Sequence, residues 1–213
     1  MKHLYFFFFS FFLFAACNTS EEKNHADTLQ QVADKDVLPE KSNLNAIKQQ
    51  KIFIDTAIAK GDYKPQILEK YNDHPQLKPF IMGSELSEAQ LEKLTSTYNV
   101  FKDKSEAVVA IAEFPFLASG DGFIVKTHYF DKDGNTFAYE RQTNFFNSVC
   151  ADVAYETKTY FYDNNFAVID STYKLYDQDD KALNKNDCQM LYDEPVQVYP
   201  DLNTYSNRIG YQQ

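Results

Sequence analysis

The chain has 213 residues, and its 31 acidic side chains outnumber its 21 Lys and Arg side chains to give a formal net charge of −10. Binding to nucleic-acid backbones requires clustered Lys and Arg, whereas no two Lys or Arg residues of this chain are adjacent. The composition therefore excludes a nucleic-acid-binding function. The length is sufficient for one domain with a sizeable hydrophobic core.

Residues 1–16 have the features of a secretory signal peptide. Lys2 supplies a positive charge, and the stretch from Leu4 to Phe14 is apolar except for one serine. This stretch is too short to span a bilayer, and two small residues follow it. Removal of the segment would also remove Lys2 and leave the mature chain more acidic by one charge.

The end of this segment, Phe14-Ala15-Ala16-Cys17, resembles the lipobox of bacterial lipoproteins. In that family the cysteine is acylated and becomes the first residue after cleavage, which implies a palmitate-bearing membrane anchor on Cys17. Phe14 departs from the usual aliphatic residue, and the alternative is an ordinary cleaved signal peptide. Asn18, in place of an aspartate, favours the outer membrane by the same resemblance. The periplasmic and surface-exposed faces of that membrane both stay open.

Residues 17–43 are predicted to be the lipidated cysteine followed by an acidic, flexible tether. The segment after Cys17 has no aromatic side chain and is rich in Asp, Glu and Lys. Such a segment cannot bury enough apolar surface to offset the entropy lost on ordering. Residues 44–213 are predicted to form a single domain.

The predicted fold class is α+β, with N-terminal helices over about 45–104 packed on a mainly antiparallel, meander-type β-sheet. The first helix spans Asn45–Lys60, where isoleucines recur on one helical face. Proline at a first helical position predicts a second helix from Pro65. Ser87 and Gln90 form a capping-box pattern, and apolar residues continue at helical spacing, so a third helix is predicted from Ser87 to about Phe101.

The sheet is predicted over about 107–176, followed by an irregular tail over 177–213. The short apolar run Ala107–Glu113 is open between helix and strand, but its β-branched residues favour a buried strand. Gly122–Tyr176 is predicted to form four strands with hairpin turns at Asp131–Asn135 and Asp163–Asn165. No internal repeat is evident.

A strand register follows from these turns. Pairing Phe130 with Thr136 places Lys126 opposite Glu140, and the second turn places Lys158 opposite Ser171. Opposite charges across a strand pair are favourable. Lys126 and Glu140 are therefore predicted to share one solvated face with the polar residues that follow Glu140.

With Cys17 lipidated, Cys150 and Cys188 are left as an even pair in an oxidising compartment, which predicts a disulfide bond. In the chain-entropy model such a bond contributes about 4 kcal/mol. Two buried thiols, or one reactive thiol beside a base, are the alternatives.

No catalytic or cofactor motif is present: GxSxG, HExxH, P-loop and GxGxxG patterns are absent. We therefore predict no catalytic residue and no cofactor. Aromatic side chains beside a few polar groups suit ligand recognition. The candidate binding surface consists of Tyr160, Tyr162, His128, Lys126 and Glu140.

The alternating residues Asp131, Asp133 and Asn135 resemble the start of a calcium-binding loop. A complete EF-hand loop needs Gly at position 6 and a bidentate acid at position 12, where this chain has Thr136 and Gln142. A hairpin turn accounts for the same residues, so no metal is predicted and calcium is the weaker alternative.

These observations favour a membrane-anchored envelope lipoprotein that acts as a non-enzymatic binding or interaction module. Its ligand class is open among protein, peptide, carbohydrate and lipid. One alternative is an inhibitor or immunity-type protein that uses an acidic surface. Another is an envelope-polymer hydrolase of unrecognised type, with Glu140, His128 or Asp170 as acid and base.

Overall fold

The computed structural model describes residues 38–81, 83, 85–117, 119–146, 148–188 and 196–212, with side chains from residue 43 onward. The predicted signal peptide, the lipidated Cys17 and most of the tether therefore lie outside the described residues. None of the helices within the described ranges is long and apolar enough to cross a membrane.

Eight strands and three α-helices make up the described fold. The helices are α1 (Leu38–Ala59), α2 (Glu88–Leu91) and α3 (Leu202–Ile209), and Lys185–Asp187 forms one 3-10 turn. The strands are β1 (Pro65–Tyr71), β2 (Lys78–Pro79), β3 (Leu94–Lys102), β4 (Val108–Pro115), β5 (Gly122–Phe130), β6 (Thr136–Phe146), β7 (Val153–Tyr162) and β8 (Val168–Asp177). All strands lie in one antiparallel sheet, in the order β2-β1-β3-β4-β5-β6-β7-β8. The predicted α+β class with an antiparallel sheet is confirmed.

Helix α1 contacts one face of the sheet. Lys48 Nζ lies 2.5 Å from Asp170 on β8, and Lys51 Nζ lies 2.8 Å from Glu140 on β6. Further along the helix, Asp55 accepts a hydrogen bond from the Tyr129 hydroxyl on β5. The contacts thus move from β8 towards β5 along α1, which means that the helix crosses the strands. This is called the α1 face below.

The opposite face carries α3 and the segment before it. Tyr205 and Ile209 of α3 are buried in one apolar cluster with Leu68 of β1, Val100 of β3 and Phe130 of β5. This is called the α3 face below. The chain end thereby returns to cover strands that lie far from it in sequence.

The start of α3 is joined by backbone hydrogen bonds to the hairpin between β5 and β6. Leu202 N–H donates to Gly134 O at 2.8 Å, and Thr136 N–H donates to Pro200 O at 2.9 Å. The side chain of Asp201 caps the helix by accepting from Thr204 N–H at 2.7 Å. An N-cap of this kind satisfies an otherwise unpaired backbone donor.

The end of α3 is held at the turn between β1 and β2 by Gly210. This residue has a left-handed φ of 82°, and its carbonyl accepts from Leu77 N–H at 2.9 Å. A Cβ at this position would come within 2.1 Å of Pro75 O. Glycine is therefore required both by the backbone angle and by the close approach.

A disulfide bond joins Cys150 to Cys188, as predicted. The two cysteines are 38 residues apart in sequence, and Cys188 packs in a small cluster with Ala154 and Leu175. The bond therefore attaches the chain that follows β8 to the start of β7, on the α3 face.

The same aspartate-based turn occurs four times: in the β3–β4, β5–β6 and β7–β8 connections at one end of the sheet, and once after β8 at the opposite end. In each, an Asp carboxylate accepts from the N–H groups two and four residues later, and the residue three positions after the Asp has positive φ. The four aspartates are Asp103, Asp131, Asp163 and Asp177. Only the second turn has glycine at the left-handed position. The second and third turns are the two hairpin turns predicted from the sequence.

The prediction of helices over 45–104 is only partly right. Helix α1 is present and begins earlier than expected, but Pro65–Tyr71 is strand β1 instead of a helix. The Ser87–Gln90 capping box is formed, yet it starts a single turn, and Leu94–Lys102 is strand β3. Thr95, Thr97 and Val100 are β-branched and favour a strand there.

Two further boundaries change. The run from Ala107 is a strand, as favoured, so the sheet extends over Pro65–Asp177 instead of 107–176. The tail over 177–213 is not wholly irregular, because it contains α3.

Both predicted hairpin registers are wrong, the first by one residue and the second by two. Phe130 pairs with Thr136 as expected, but Tyr129 then pairs with Ala138, so Phe137 is the extra residue. In the second hairpin the shift is two residues, so that Lys158 pairs with Tyr173 instead of Ser171. The one-residue shift of the first hairpin moves every following side chain to the other face of the sheet, whereas the two-residue shift keeps each side chain on its face.

Candidate functional site

A cavity of about 360 Å³ lies on the α3 face, between the sheet and the C-terminal segment. Pockets of this volume are typical of small-molecule sites. Among the described residues its lining includes charged side chains (Lys70, Glu113, Lys126, Arg141 and Arg208), aromatic and histidine rings (Tyr98, His128, Tyr139, Tyr199 and Tyr205), and Thr95, Ser96, Val196, Gln197 and Ile209.

Adjacent positions on successive strands supply the floor of the cavity. Tyr98 of β3 pairs with Glu113 of β4, Glu113 with Lys126 of β5, and Lys126 with Arg141 of β6. The next row includes His128 opposite Tyr139. Because residues that pair across strands point to the same face, a meander places these six side chains together.

Stacked rings form one wall of the cavity. The ring centroids of His128 and Tyr205 are 3.9 Å apart, and those of Tyr199 and Tyr205 are 5.4 Å apart. Tyr139 meets His128 edge-on at 5.0 Å. His128, Tyr139 and Tyr205 are each at most 2% exposed. The wall is therefore held in place by packing on both its sheet and helix sides.

His128 is a neutral hydrogen-bonding group in this wall. Its Nε2 accepts from Tyr199 N–H at 3.4 Å, which assigns the proton of the neutral ring to Nδ1. Burial, and to a smaller extent the positive charge of Lys126, lowers the pKa of His128 to about 3. A group with this pKa is too weak a base for general-base catalysis near pH 7.

Two polar atoms in the wall have no hydrogen-bonding partner within the described ranges. They are His128 Nδ1 and the hydroxyl oxygen of Tyr205. A buried polar group that lacks a partner costs about 1–3 kcal/mol. A bound molecule with a suitable acceptor would offset that cost.

Positive charge predominates in the lining. Lys70, Lys126, Arg141 and Arg208 contribute four cations, whereas Glu113 is the one carboxylate among the described lining residues. Glu113 accepts from Ser96 Oγ at 3.2 Å. In a chain with a net charge of −10, this cavity is a local site of opposite charge.

A buried ion pair extends from the floor of the cavity towards β7. Arg141 donates to Glu156 Oε2 at 3.0 Å, and their side chains are 4% and 1% exposed. Lys158 Nζ lies 3.2 Å from the other carboxylate oxygen of Glu156. Glu156 therefore contacts two cations, and its contact with Arg141 holds that guanidinium at the floor of the cavity.

The structure divides the residues of the predicted binding surface. His128 and Lys126 line the cavity, but Glu140 pairs with Thr127 and lies on the α1 face. There it contacts Lys51 at 2.8 Å and accepts from Thr159 Oγ1 at 2.9 Å. Burial alone would raise the pKa of Glu140, but the Lys51 charge and these hydrogen bonds lower it. The predicted cluster of Lys126, His128 and Glu140 is therefore not formed.

The two predicted tyrosines lie beside the cavity and do not appear in its lining. Tyr160 pairs with Tyr139 across β6 and β7, so it shares the α3 face. Tyr162 is 6% exposed and stacks on Phe166 with a centroid distance of 4.6 Å. Tyr162 is thus packed within the structure.

The residues of the weak calcium candidate form the second aspartate turn. Asp131 Oδ1 accepts from the N–H groups of Asp133 and Asn135, and Lys132 contacts the Asp133 carboxylate at 2.7 Å. These hydrogen bonds turn the Asp131 carboxylate towards the backbone. Among the described residues, no group of three or more His, Cys, Asp and Glu side chains is placed to hold a metal ion.

A second hollow of about 240 Å³ lies at the end of the sheet where β4 leads into β5. Its lining includes Phe114, Phe116 and Phe123, whose neighbours there are Leu, Pro, Gly and one Thr. No charged side chain is among the described residues that line it. It therefore offers apolar contact without a group that would orient a ligand, in contrast to the cavity on the α3 face.

Sequence reasoning missed most of the cavity. Lys70 was assigned to a helix, Arg208 to an irregular tail, and Arg141 to the face opposite that of Lys126. One signal was available: Tyr98 and Val100 alternate with polar residues at strand spacing, which would have identified β3. The approach of α3 to β1 has no counterpart in local sequence.

Comparison with known proteins gave no relative. No protein-family model, no curated protein and no solved structure matches the chain.

Proposed function

We propose that this protein is a membrane-anchored envelope lipoprotein that acts as a non-enzymatic binding module, with the cavity on the α3 face as its ligand site. The lipobox-like sequence at Cys17 supports the anchor and, with Asn18, an outer-membrane location. In this proposal residues 44–213 are one domain, and its N-terminal helical part packs on the sheet and supports it from the α1 face.

The observation that carries the binding role is the construction of the cavity. It combines a rigid wall of stacked rings, two buried polar atoms that lack partners within the described residues, and several cations around one carboxylate. An apolar wall with a few convergent polar groups is the usual form of a small-molecule site. The low pKa of His128 favours binding over acid-base catalysis.

Blocking the cavity should abolish ligand retention. Gln197 is exposed and lines the cavity, so Gln197→Trp would fill the entrance without disturbing the core. The purified full chain is incubated with a small-molecule extract of bacterial envelopes, washed, and denatured, and the released compounds are identified by mass spectrometry. We expect a compound that the wild type retains and that Gln197→Trp retains at less than about a tenth of that level.

The matched control is Gln49→Trp, which adds the same indole to an exposed position on α1. It should retain the compound as the wild type does. Equal retention by all three proteins, or no compound enriched on the wild type, would contradict the binding role of the cavity.

The anchor is tested separately by acylation. In a bacterial host supplied with labelled palmitate, the wild type should carry label and fractionate with membranes, whereas Cys17→Ser should do neither. The double variant Cys150→Ser/Cys188→Ser is the control, since it should keep the label. A Cys17→Ser chain that stays labelled would disprove the assignment of the lipidation site.

A further inference from the structure

The edge of the cavity nearest α3 carries two cations, Lys70 and Arg208. Lys70 is on β1 and Arg208 is on α3, so the two residues approach each other only because the chain end returns to the sheet. Burial, followed by the positive charge of Arg208, lowers the pKa of Lys70. The two side chains therefore repel each other where they stand.

Neither cation has a carboxylate partner in the described part of the chain. Lys70 Nζ donates to Ile209 O at 2.9 Å and also to Pro75 O, so its contacts are backbone carbonyl groups. Arg208 Nε donates to the Tyr199 hydroxyl at 3.2 Å. The ion pairs of the described residues involve other side chains.

Of the two, Arg208 is the better candidate for contact with a ligand. Lys70 caps the C-terminal carbonyl groups of α3, a position where a cation is favourable for the helix itself. Arg208 is exposed, and its bond to Tyr199 uses Nε alone. Its two Nη groups can therefore engage a planar anion in the two-pronged manner typical of arginine and carboxylate.

The neighbouring rings define the rest of the ligand. Tyr199 stacks on Tyr205 and is the partly exposed ring of this wall, so an aromatic ring lies directly beside Arg208. Glu113 lines the same cavity and can accept a hydrogen bond from a hydroxyl group. A volume of about 360 Å³ accommodates one small ring with short substituents.

We infer that the ligand of this cavity is a small organic anion that carries a carboxylate and a planar ring, with Arg208 as the residue that binds the carboxylate. The inference rests on the proposed function, because it names the ligand class of the same site. Cationic and neutral molecules of the same shape are discriminated against by the excess of positive charge at Lys70 and Arg208.

Three probes with one ring and different charges test this inference. They are 4-hydroxyphenylacetate, its neutral amide 4-hydroxyphenylacetamide, and the cation tyramine, each titrated into the full chain by calorimetry. We expect the acid to bind about tenfold or more tightly than the amide, since a hydrogen bond to a charged group is stronger than a neutral one. Tyramine should bind weakest, and added salt should weaken binding of the acid more than that of the amide.

Variants of Arg208 test whether its guanidinium causes the preference for the acid over the amide. Arg208→Gln should reduce the preference for the acid over the amide to within about threefold, and Arg208→Lys should restore part of it. Arg208 is exposed, so unchanged thermal unfolding of both variants is expected and serves as the folding control. A preference that survives in Arg208→Gln would remove Arg208 from the role given to it.

The remaining outcomes separate this inference from the proposed function. Equal binding of acid and amide, or tighter binding of tyramine, would overturn the anionic ligand class while leaving a binding cavity in place. If none of the probes binds but envelope extraction yields a retained compound, the ligand class is wrong and the binding module stands. If neither experiment finds a ligand, both are wrong.

Discussion

Replacing Glu156 with Gln should lower the free energy of unfolding by about 3–5 kcal/mol, the usual cost of removing one partner from a buried ion pair. The carboxylate is 1% exposed and lies 3.0 Å from Arg141 and 3.2 Å from Lys158. The variant keeps the size of the side chain but removes the charge that both cations contact within the sheet. Equilibrium denaturation in urea measures the change.

An exposed ion pair supplies the matched control for Glu156→Gln. Asp133 lies 2.7 Å from Lys132, and their side chains are 63% and 86% exposed. Asp133→Asn should leave the free energy of unfolding essentially unchanged, because solvent already screens this pair. If Glu156→Gln were as mild as Asp133→Asn, Glu156 could not be holding two desolvated cations.

Acid should destabilise the protein through His128. Its pKa is about 3 in the folded chain and about 6.5 in the unfolded chain, so between these values the unfolded state binds more protons. Stability therefore falls as the pH falls below about 6.5, and the contribution reaches about 3 kcal/mol at pH 4. The Phe side chain of the His128→Phe variant cannot titrate. The free energy of unfolding of this variant should therefore fall by about 3 kcal/mol less than that of the wild type between pH 8 and pH 4.

His128→Gln separates titration from ring packing. This variant loses the stacking on Tyr205 but, like His128→Phe, has no ionisable group. Both variants should therefore show the same flatter dependence of unfolding free energy on pH, whatever their stability at pH 8. Wild-type steepness in either variant would mean that other groups, such as the carboxylates, account for the acid response.

The two predictions concern adjacent parts of one surface. Glu156 positions Arg141 at the cavity floor, and His128 forms the wall above it. Both groups would be solvated more favourably in water than in the protein interior. Glu156 forms a desolvated ion pair, and His128 is a neutral ring whose Nδ1 has no hydrogen-bonding partner within the described residues. The free energy needed for this arrangement comes from the apolar packing around it.

Local signals were reliable where the sequence itself supplies the interaction. The Ser87–Gln90 capping box is formed, Gly134 takes the positive φ that its turn needs, and the helix at Ile54 packs its apolar face. They failed where a helical spacing and a strand spacing coexist. Leu94 and Phe101 fit a helix, but β3 forms because Tyr98 and Val100 can be buried between β1 and β4.

Some residues of the candidate site were among those selected from the sequence. Of the residues predicted as a binding surface, His128 and Lys126 line the cavity. Glu140 was grouped with them because the register was drawn without the bulge at Phe137. A bulge depends on how the hairpin twists against its neighbours, and no residue pattern near Phe137 predicts it.

By itself, the sequence determined the strand-rich α+β character, the pairing of Cys150 with Cys188 and the turn chemistry, because each depends on residue types close together or on elimination among few cysteines. It also led to the expectation of a lipid anchor on Cys17. Only the tertiary structure decided which side chains share a face and that Arg208 meets Lys70. Those facts depend on a one-residue bulge and on a chain end that returns to the first strands, and both are settled by packing across long sequence separations.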